Sequence, residues 1–148
     1  MQVITAPERD TIKHQSIFLA GTIDDGKSED WQAKLIKDLS DDNQEVSILN
    51  PRRSNWGDIS KNALHKQITW ELDHLEKADI IFMYIIGTSK SPISLLEMGI
   101  HIKDSKLIVV CEPEFYRYDN VRITCEYYNA EIYDSLGEGI DALLSQLE

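Results

Sequence analysis

The sequence is short of everything that staples a chain together. Only two of its 148 residues are cysteine, Cys111 and Cys125, with four prolines and seven glycines. Two cysteines are too few for a disulfide framework, and no CxxC or Cys/His cluster has zinc spacing. The four histidines, His14, His65, His74 and His101, are scattered, so no metal site is expected. Basic residues are scarce too: 15 Lys+Arg face 26 Asp+Glu, a formal net charge of −11. Phosphate backbones and acidic bilayers need a cationic face, so neither nucleic acid nor membrane is an expected partner. No apolar run approaches the roughly 20 residues that span a bilayer. The opening MQVITAPERD has no basic stretch before an apolar core, so a signal peptide is not expected and the predicted setting is cytoplasmic.

What remains is an ordinary globular composition, 42% hydrophobic and 28% charged, of a length that predicts one domain over 1–148 with a core of its own. No repeat or Pro/Gly/Ser-rich linker interrupts it. Strand-like and helix-like segments alternate. Ser16–Ala20, closed by Gly21, reads as a buried strand, and 29–39 has helical spacing through Trp31, Leu35, Ile36 and Leu39. A strand over 45–49 ends at Asn50-Pro51, a long helix runs 58–77, and 79–86 is the most strand-like run. Ser91-Pro92 offers an N-cap with proline at the first helical position, opening a helix to about Lys103. A strand at 106–111, another within 122–133 and an amphipathic helix over 135–147 complete the chain. Strands without polar alternation, each followed by a helix, predict a parallel sheet covered on both faces. The expected architecture is an α/β three-layer sandwich of about five strands, with ligands at the strands' carboxyl ends. Those ends carry 21–25, 50–53, 87–91 and Glu112-Pro113.

Two carboxylates fall where carboxylates are uncommon. In the 58–77 helix, Leu64, Ile68, Leu72 and Leu75 share an arc of roughly 80° and predict the buried stripe, with Glu71 about 20° from Leu64. A charge there either pairs with a basic group or serves a site. The next helix, Ile93-Ser94-Leu95-Leu96-Glu97-Met98-Gly99-Ile100, is almost wholly apolar, with Glu97 its only charge. Such a helix is expected to be buried on most sides, taking Glu97 with it. The helix N-terminus favours the ionised form and desolvation opposes it. Glu97 either caps loop amides or faces the ligand crevice. Two carboxylates aimed at one crevice suit glycosyl chemistry: one attacks an anomeric carbon, and another group moves the leaving group's proton. Negative charge nearby stabilises the oxocarbenium-like transition state.

Other candidates carry less. Gly21-Thr22-Ile23-Asp24-Asp25-Gly26 is neither GxGxxG nor a Walker loop, and reads as a plain turn or a backbone contact to a sugar or base. Asn50, Arg52 and Arg53 either hold an anion or order a loop. Trp56 is a candidate stacking platform, whereas Trp31 reads as core. Ser94 and His101 lack the G-x-S-x-G elbow of a hydrolase triad.

In order, Phe18-Leu19-Ala20-Gly21-Thr22-Ile23, Asn50-Pro51-Arg52-Arg53, Trp56, Gln67-x-x-Trp70-Glu71, Leu75-x-x-Ala78-Asp79-Ile80 and Ser89-x-Ser91-Pro92-x-Ser94-Leu95-Leu96-Glu97-Met98-Gly99 resemble the nucleoside 2-deoxyribosyltransferase family, in its divergent branch with an SLLE-x-G helix. The resemblance covers about 16–125. It implies a flavodoxin-like fold and transfer of 2-deoxyribose between bases through a covalent glycosyl-enzyme, with no cofactor or metal. It implies Glu97 as nucleophile and Glu71 in place of the family Asp that contacts the base. A second family Asp, six residues before the nucleophile, is Ser91 here, so Asp24 or Asp25 must compensate if its charge is needed. Gly21, Thr22, Ile23, Asp24, Asn50, Arg52, Trp56 and Ser91 are the implied substrate contacts. Asn120 takes the place of a family Asn that reaches the sugar hydroxyl of a neighbouring subunit's site, so a homo-oligomer is implied. The expected partners are nucleosides and free nucleobases. The alternatives are a 2′-deoxynucleoside 5′-monophosphate hydrolase, with an anion site from Arg52, Arg53, Lys90 or Arg117, and a non-catalytic nucleotide-sensing module.

Overall fold

A computed structural model describes residues 1–57 and 59–147. It has six strands, β1 (Gln2–Thr5), β2 (Gln15–Gly21), β3 (Val46–Asn50), β4 (Ile80–Ile85), β5 (Leu107–Cys111) and β6 (Glu131–Tyr133). Its five α-helices are α1 (Trp31–Asp41), α2 (Lys61–Lys77), α3 (Pro92–His101), α4 (Tyr118–Tyr127) and α5 (Leu136–Leu147). The strand order is β1-β3-β2-β4-β5-β6, and the pairs β1–β3, β2–β3, β4–β5 and β5–β6 are parallel. With β1 set aside, this is the 2-1-3-4-5 order of flavodoxin-like folds. The expected α/β class holds; the count of about five misses β1, a four-residue strand of which only Ile4 is buried, too short for a periodic signal. The fully buried strands β3, β4 and β5 are the apolar runs read from sequence.

The chain divides into two compact units, Met1–Leu19 with Ile23–Asp79 and Ala20–Thr22 with Ile80–Glu148. In the first, α1 starts at Asp30, whose carboxylate accepts from the Ala33 N–H at 3.0 Å, a standard N-cap. It buries Trp31, Leu35 and Leu39, so Trp31 is core, as the sequence predicts. On α2 the Ser60 hydroxyl caps the Ala63 N–H and the helix begins at Lys61; Asp58, the expected start, lies outside the described residues. Its predicted stripe is corrected. Leu64, Ile68 and Leu72 are exposed, while Gln67, Trp70, His74 and Leu75 are buried. The inward face is rotated from the aliphatic stripe by roughly a quarter turn, with Leu75 on the shared boundary and Glu71 half-buried beside it. The reason is Trp70. An indole buries some 150–250 Å²; this one packs 6.1 Å from the Phe18 ring, stacks on His74 at 4.0 Å and donates to the Glu8 carbonyl.

In the second unit, the end of β2 lies on β4 through Thr22 N–H donating to the Tyr84 carbonyl at 2.9 Å. The stretch 122–133 holds the one strand expected of it, the three-residue β6, but its first half is the end of α4, a helix the sequence pattern does not signal. Tyr, Val, Ile and Thr give α4 a strand-like composition, and only Val121 and Cys125 point inward, at the i, i+4 spacing of one helical face. The expectation that α3 is buried on most sides is also corrected: Ile93, Leu96 and Ile100 are exposed, whereas Ser94, Glu97, Met98 and His101 are buried. Among the described residues no helix is long and apolar enough to cross a membrane.

Candidate active site

The second unit supplies Gly21, Thr22, Ser91, Glu97 and Asn120. Gly21 ends β2 with φ +123°, and a Cβ there runs into the Tyr84 backbone. Glycine alone permits that approach without strain, which sets Thr22 beside the start of the next loop. The Thr22 hydroxyl accepts from the Ile86 N–H at 3.0 Å and lies 2.7 Å from Ser91 Oγ and 3.1 Å from Ser89 Oγ. Ser89 and Ser91 hydroxyls are 2.8 Å apart, and Ser89 Oγ donates to the Ile86 carbonyl. Glu112 accepts from the Gly87 N–H at 2.7 Å. The loop before α3 is therefore tied down at both ends.

Ser91 occupies the N-cap position predicted for it, but its side chain does not cap. Its φ of +43° is left-handed, and its hydroxyl is engaged with Thr22 and Ser89. Pro92 follows at the first helical position, where a missing N–H costs nothing. Glu97 is then set by helix periodicity on the same buried face as Ser94 and His101. It is 7% exposed. His101, behind it, is 2.8 Å from Asp104 Oδ2 through Nδ1. Asn120 lies in the first turn of α4 and is exposed.

The first unit supplies Ile23, Asp24, Asn50, Arg52, Trp56 and Glu71. Asn50 Oδ1 accepts from the Arg52 N–H at 3.0 Å, shaping the turn after β3. Arg52 is buried and turned inward. Its guanidinium donates to the Glu29 carbonyl at 2.8 Å, to Gln32 Oε1 at 3.2 Å and to the Ser28 carbonyl, with Asp30 3.8 Å away. This side chain holds the 28–32 segment, and its donors face protein. Ile23 is half-buried, Asp24 is exposed with φ +51°, and the Gly26 turn behind them leaves no room for a Cβ beside the Trp56 ring.

Glu71 is electrostatically unusual. Desolvation pushes its carboxyl up to about 7, against the opposing effect of a hydrogen bond with the Gln67 side chain one turn earlier. At neutral pH it is poised to give or take a proton. Gln67, which the sequence reading quotes but does not single out, donates from Nε2 to the Pro51 carbonyl at 2.9 Å. Four buried polar atoms among the described residues have no partner, Gln32 Nε2, Arg53 Nε, Trp56 Nε1 and Gln67 Oε1, and all four belong to the first unit. The signal that points to Gln67 is its spacing, three residues before Trp70 and four before Glu71, which puts it one turn from both.

Neither thiol is available at neutral pH: burial pushes Cys111 up to about 12 and Cys125 up to about 11. Among the described residues no group of three or more His, Cys, Asp or Glu is placed so that it could hold a metal ion. An open recess lined by Tyr118, Arg122, Asp134, Glu138 and Asp141 contains none of the predicted site residues.

A search of curated proteins returned no match to the chain. Residues 14–115 match the family described as nucleoside 2-deoxyribosyltransferase like, a stretch that contains Gly21, Asn50, Glu71, Ser91 and Glu97. The chain belongs to the nucleoside 2-deoxyribosyltransferase-like family.

Proposed function

We propose that this chain transfers 2-deoxyribose between nucleobases with retention, through a glycosyl ester on Glu97. The observation that carries the reading is the placement of Glu97: a carboxylate 7% exposed on a helix whose Leu96 is 59% exposed. Glutamate is among the residues least often buried and leucine among the most often, so the reversed order on this helix supports a role for Glu97 beyond packing.

In the first half-reaction Glu97 attacks C1′ as the C1′–N bond breaks. The bond's electron pair leaves with the base, which takes a proton from Glu71. In the second, a ring nitrogen of the incoming base attacks C1′, the ester bond breaks back to the Glu97 carboxylate, and Glu71 recovers the incoming base's proton. Two inversions give net retention. The electron and proton count closes without a cofactor or metal. Thr22 and Ser91, held together by their hydroxyls, offer neutral polar contacts where a second carboxylate stands in the family. Gly21, Ile23, Asp24, Asn50 and Trp56 complete the nucleoside contacts, and Arg52 acts on them through the 28–32 segment that it holds. We further propose that 1–148 works as one catalytic domain in a cytoplasmic homo-oligomer, with Asn120 reaching a neighbouring copy's site.

The 5′-monophosphate hydrolase is a weaker fit. Of its four candidate cations, Arg52 faces backbone carbonyls and Lys90 and Arg117 lie over the Tyr116 ring at 5.7 and 5.5 Å, which leaves Arg53, with its buried Nε, as the one candidate for a phosphate. The test pairs deoxyadenosine with its 5′-monophosphate, each with and without a free acceptor base, and follows the protein by mass spectrometry. A deoxyribosyl adduct on Glu97 and exchange from the nucleoside are expected. Turnover of the monophosphate alone, without exchange product, overturns the transferase reading, and tight base binding without turnover points to a sensing module.

A further inference from the structure

Gln67 is 2% exposed, yet the two ends of its amide are treated differently. Nε2 donates to the Pro51 carbonyl at 2.9 Å. A carbonyl only accepts, so this bond fixes which end is nitrogen and directs Oε1 the other way. Oε1 is then a buried acceptor with no partner among the described residues, a condition that native cores rarely tolerate unless a ligand or water completes it. Glu71 follows four residues later, one turn along the same helix face, close enough for a side-chain hydrogen bond to Gln67. Arg9, His65, Lys66, Asp73, His74 and Glu76 are the other charged or titratable groups flanking this face in sequence or contact. Arg9 pairs with Asp73 at 2.9 Å and His74 stacks on Trp70, while His65, Lys66 and Glu76 are exposed.

An orphan acceptor beside a carboxyl that can give or accept a proton matches one edge of an amino-substituted heterocycle. There an exocyclic N–H₂ donor sits next to a ring nitrogen. We propose that Gln67 sets base specificity: its Oε1 accepts from the exocyclic amine of an amino-nucleobase, a 6-aminopurine or 4-aminopyrimidine, with Glu71 at the adjacent ring nitrogen. The inference rests on the transferase reading for its substrate class, and it adds a residue and a preference that the reading does not contain. An oxo base such as hypoxanthine sets a carbonyl against Oε1, two acceptors facing each other. Sites built to hydrogen-bond a substrate group reject analogues that lack it far more strongly than apolar pockets do.

The test is equilibrium binding of free adenine, unsubstituted purine and hypoxanthine to the full chain by calorimetry, alongside base-exchange assays with the same three. Adenine is expected to bind the wild type at least about tenfold more tightly than hypoxanthine, with purine between them. Gln67→Met is expected to narrow that ratio to within about threefold while binding unsubstituted purine as the wild type does. If Gln67→Met does not fold, because the Pro51 carbonyl has lost its donor, the wild-type series still decides. Equal affinities for adenine and hypoxanthine, as when a fixed water satisfies Oε1, overturn the proposal. So does a folded Gln67→Met that keeps the full ratio. Exchange without discrimination sinks this inference and leaves the transferase standing, whereas selective adenine binding without exchange supports Gln67 and sinks the transferase. A wild type that binds no base overturns both.

Discussion

Helices α1 and α3 have opposite polarity. On α1 the apolar residues Trp31, Leu35 and Leu39 are inside, while Lys34, Lys37 and Asp38 are outside. On α3, Ser94, Glu97 and His101 are inside, while Ile93, Leu96 and Ile100 are outside. The first follows from the hydrophobic effect acting on an amphipathic pattern. The second opposes it at three positions on each face, Met98 being the apolar side chain that does go inside. An inverted helix is stable only if the rest of its unit carries it, here a fully buried β4 and β5 and a hydroxyl-tied loop. The contrast is between a helix that closes a core and one that keeps a carboxylate inside and aliphatic side chains outside, which is the arrangement the proposed role of Glu97 needs.

The strongest way to break the comparison is Glu97→Gln, which keeps shape and removes the nucleophile. Transfer is expected to fall by about 10³-fold or more, while the thermal unfolding midpoint stays within a few degrees, because the amide keeps the shape and volume of the carboxyl group. Loss of fold together with loss of activity would make Glu97 a structural residue and erase the distinction between the helices. The mirror-image change is Leu35→Ala on α1. A fully buried leucine truncated to alanine costs about 2–5 kcal/mol, measured by urea denaturation, with unchanged activity per folded molecule.

These two positions also show how far the sequence could be read. Leu35 and the strands β3 to β5 were legible because burial there follows apolar periodicity, as it does for Trp31. Glu97 was legible for the opposite reason, as the lone charge in an apolar helix. The inward face of α2 was not, because one indole outweighed three of the four aliphatic side chains in choosing it. The identity of α4 was hidden by β-branched and aromatic residues with only two inward contacts. No sequence pattern reports that Arg52 turns inward to hold carbonyls, that Ser91 bonds to Thr22 instead of capping its own helix, or that Gln67 keeps an unused acceptor. Those facts depend on side chains far apart in the chain.

Glu71 tests the comparison through pH. Its carboxyl, ordinarily near 4.5, is raised to about 7 by burial. Between those values the folded chain holds a proton that the unfolded chain has released, so this group's contribution lowers stability as pH rises through the window. Above 7 the penalty is complete. Glu71→Gln is therefore expected to match the wild type near pH 4 and to exceed it at pH 8 by on the order of 1–2 kcal/mol, a figure reduced because the side chain is partly exposed. In catalysis the sign is the same. Donation to the leaving base needs the protonated acid, so kcat/KM for the nucleoside is expected to decline above about pH 7, and Glu71→Gln is expected to lose that limb along with most of the rate. A wild-type profile flat from pH 6 to 9, or an alkaline limb that persists in the variant, removes Glu71 from the proton path.

The smallest effect belongs to the exposed side of α3. Leu96 is 59% exposed, so Leu96→Ser should change the unfolding free energy of a dilute, dissociated chain by less than about 0.5 kcal/mol. That is several-fold below Leu35→Ala for removal of the same side chain. If a second copy covers this face, the same substitution acts at high concentration instead: sedimentation shows a shift toward monomer, and the concentration dependence of the unfolding midpoint weakens. The two readouts separate the reasons for leaving leucine in solvent. A large stability loss in the dilute chain means that α3 closes a core after all, and the opposition with α1 disappears. A silent variant at every concentration means that this face serves no second copy, and then Asn120 has no neighbouring site to reach through it.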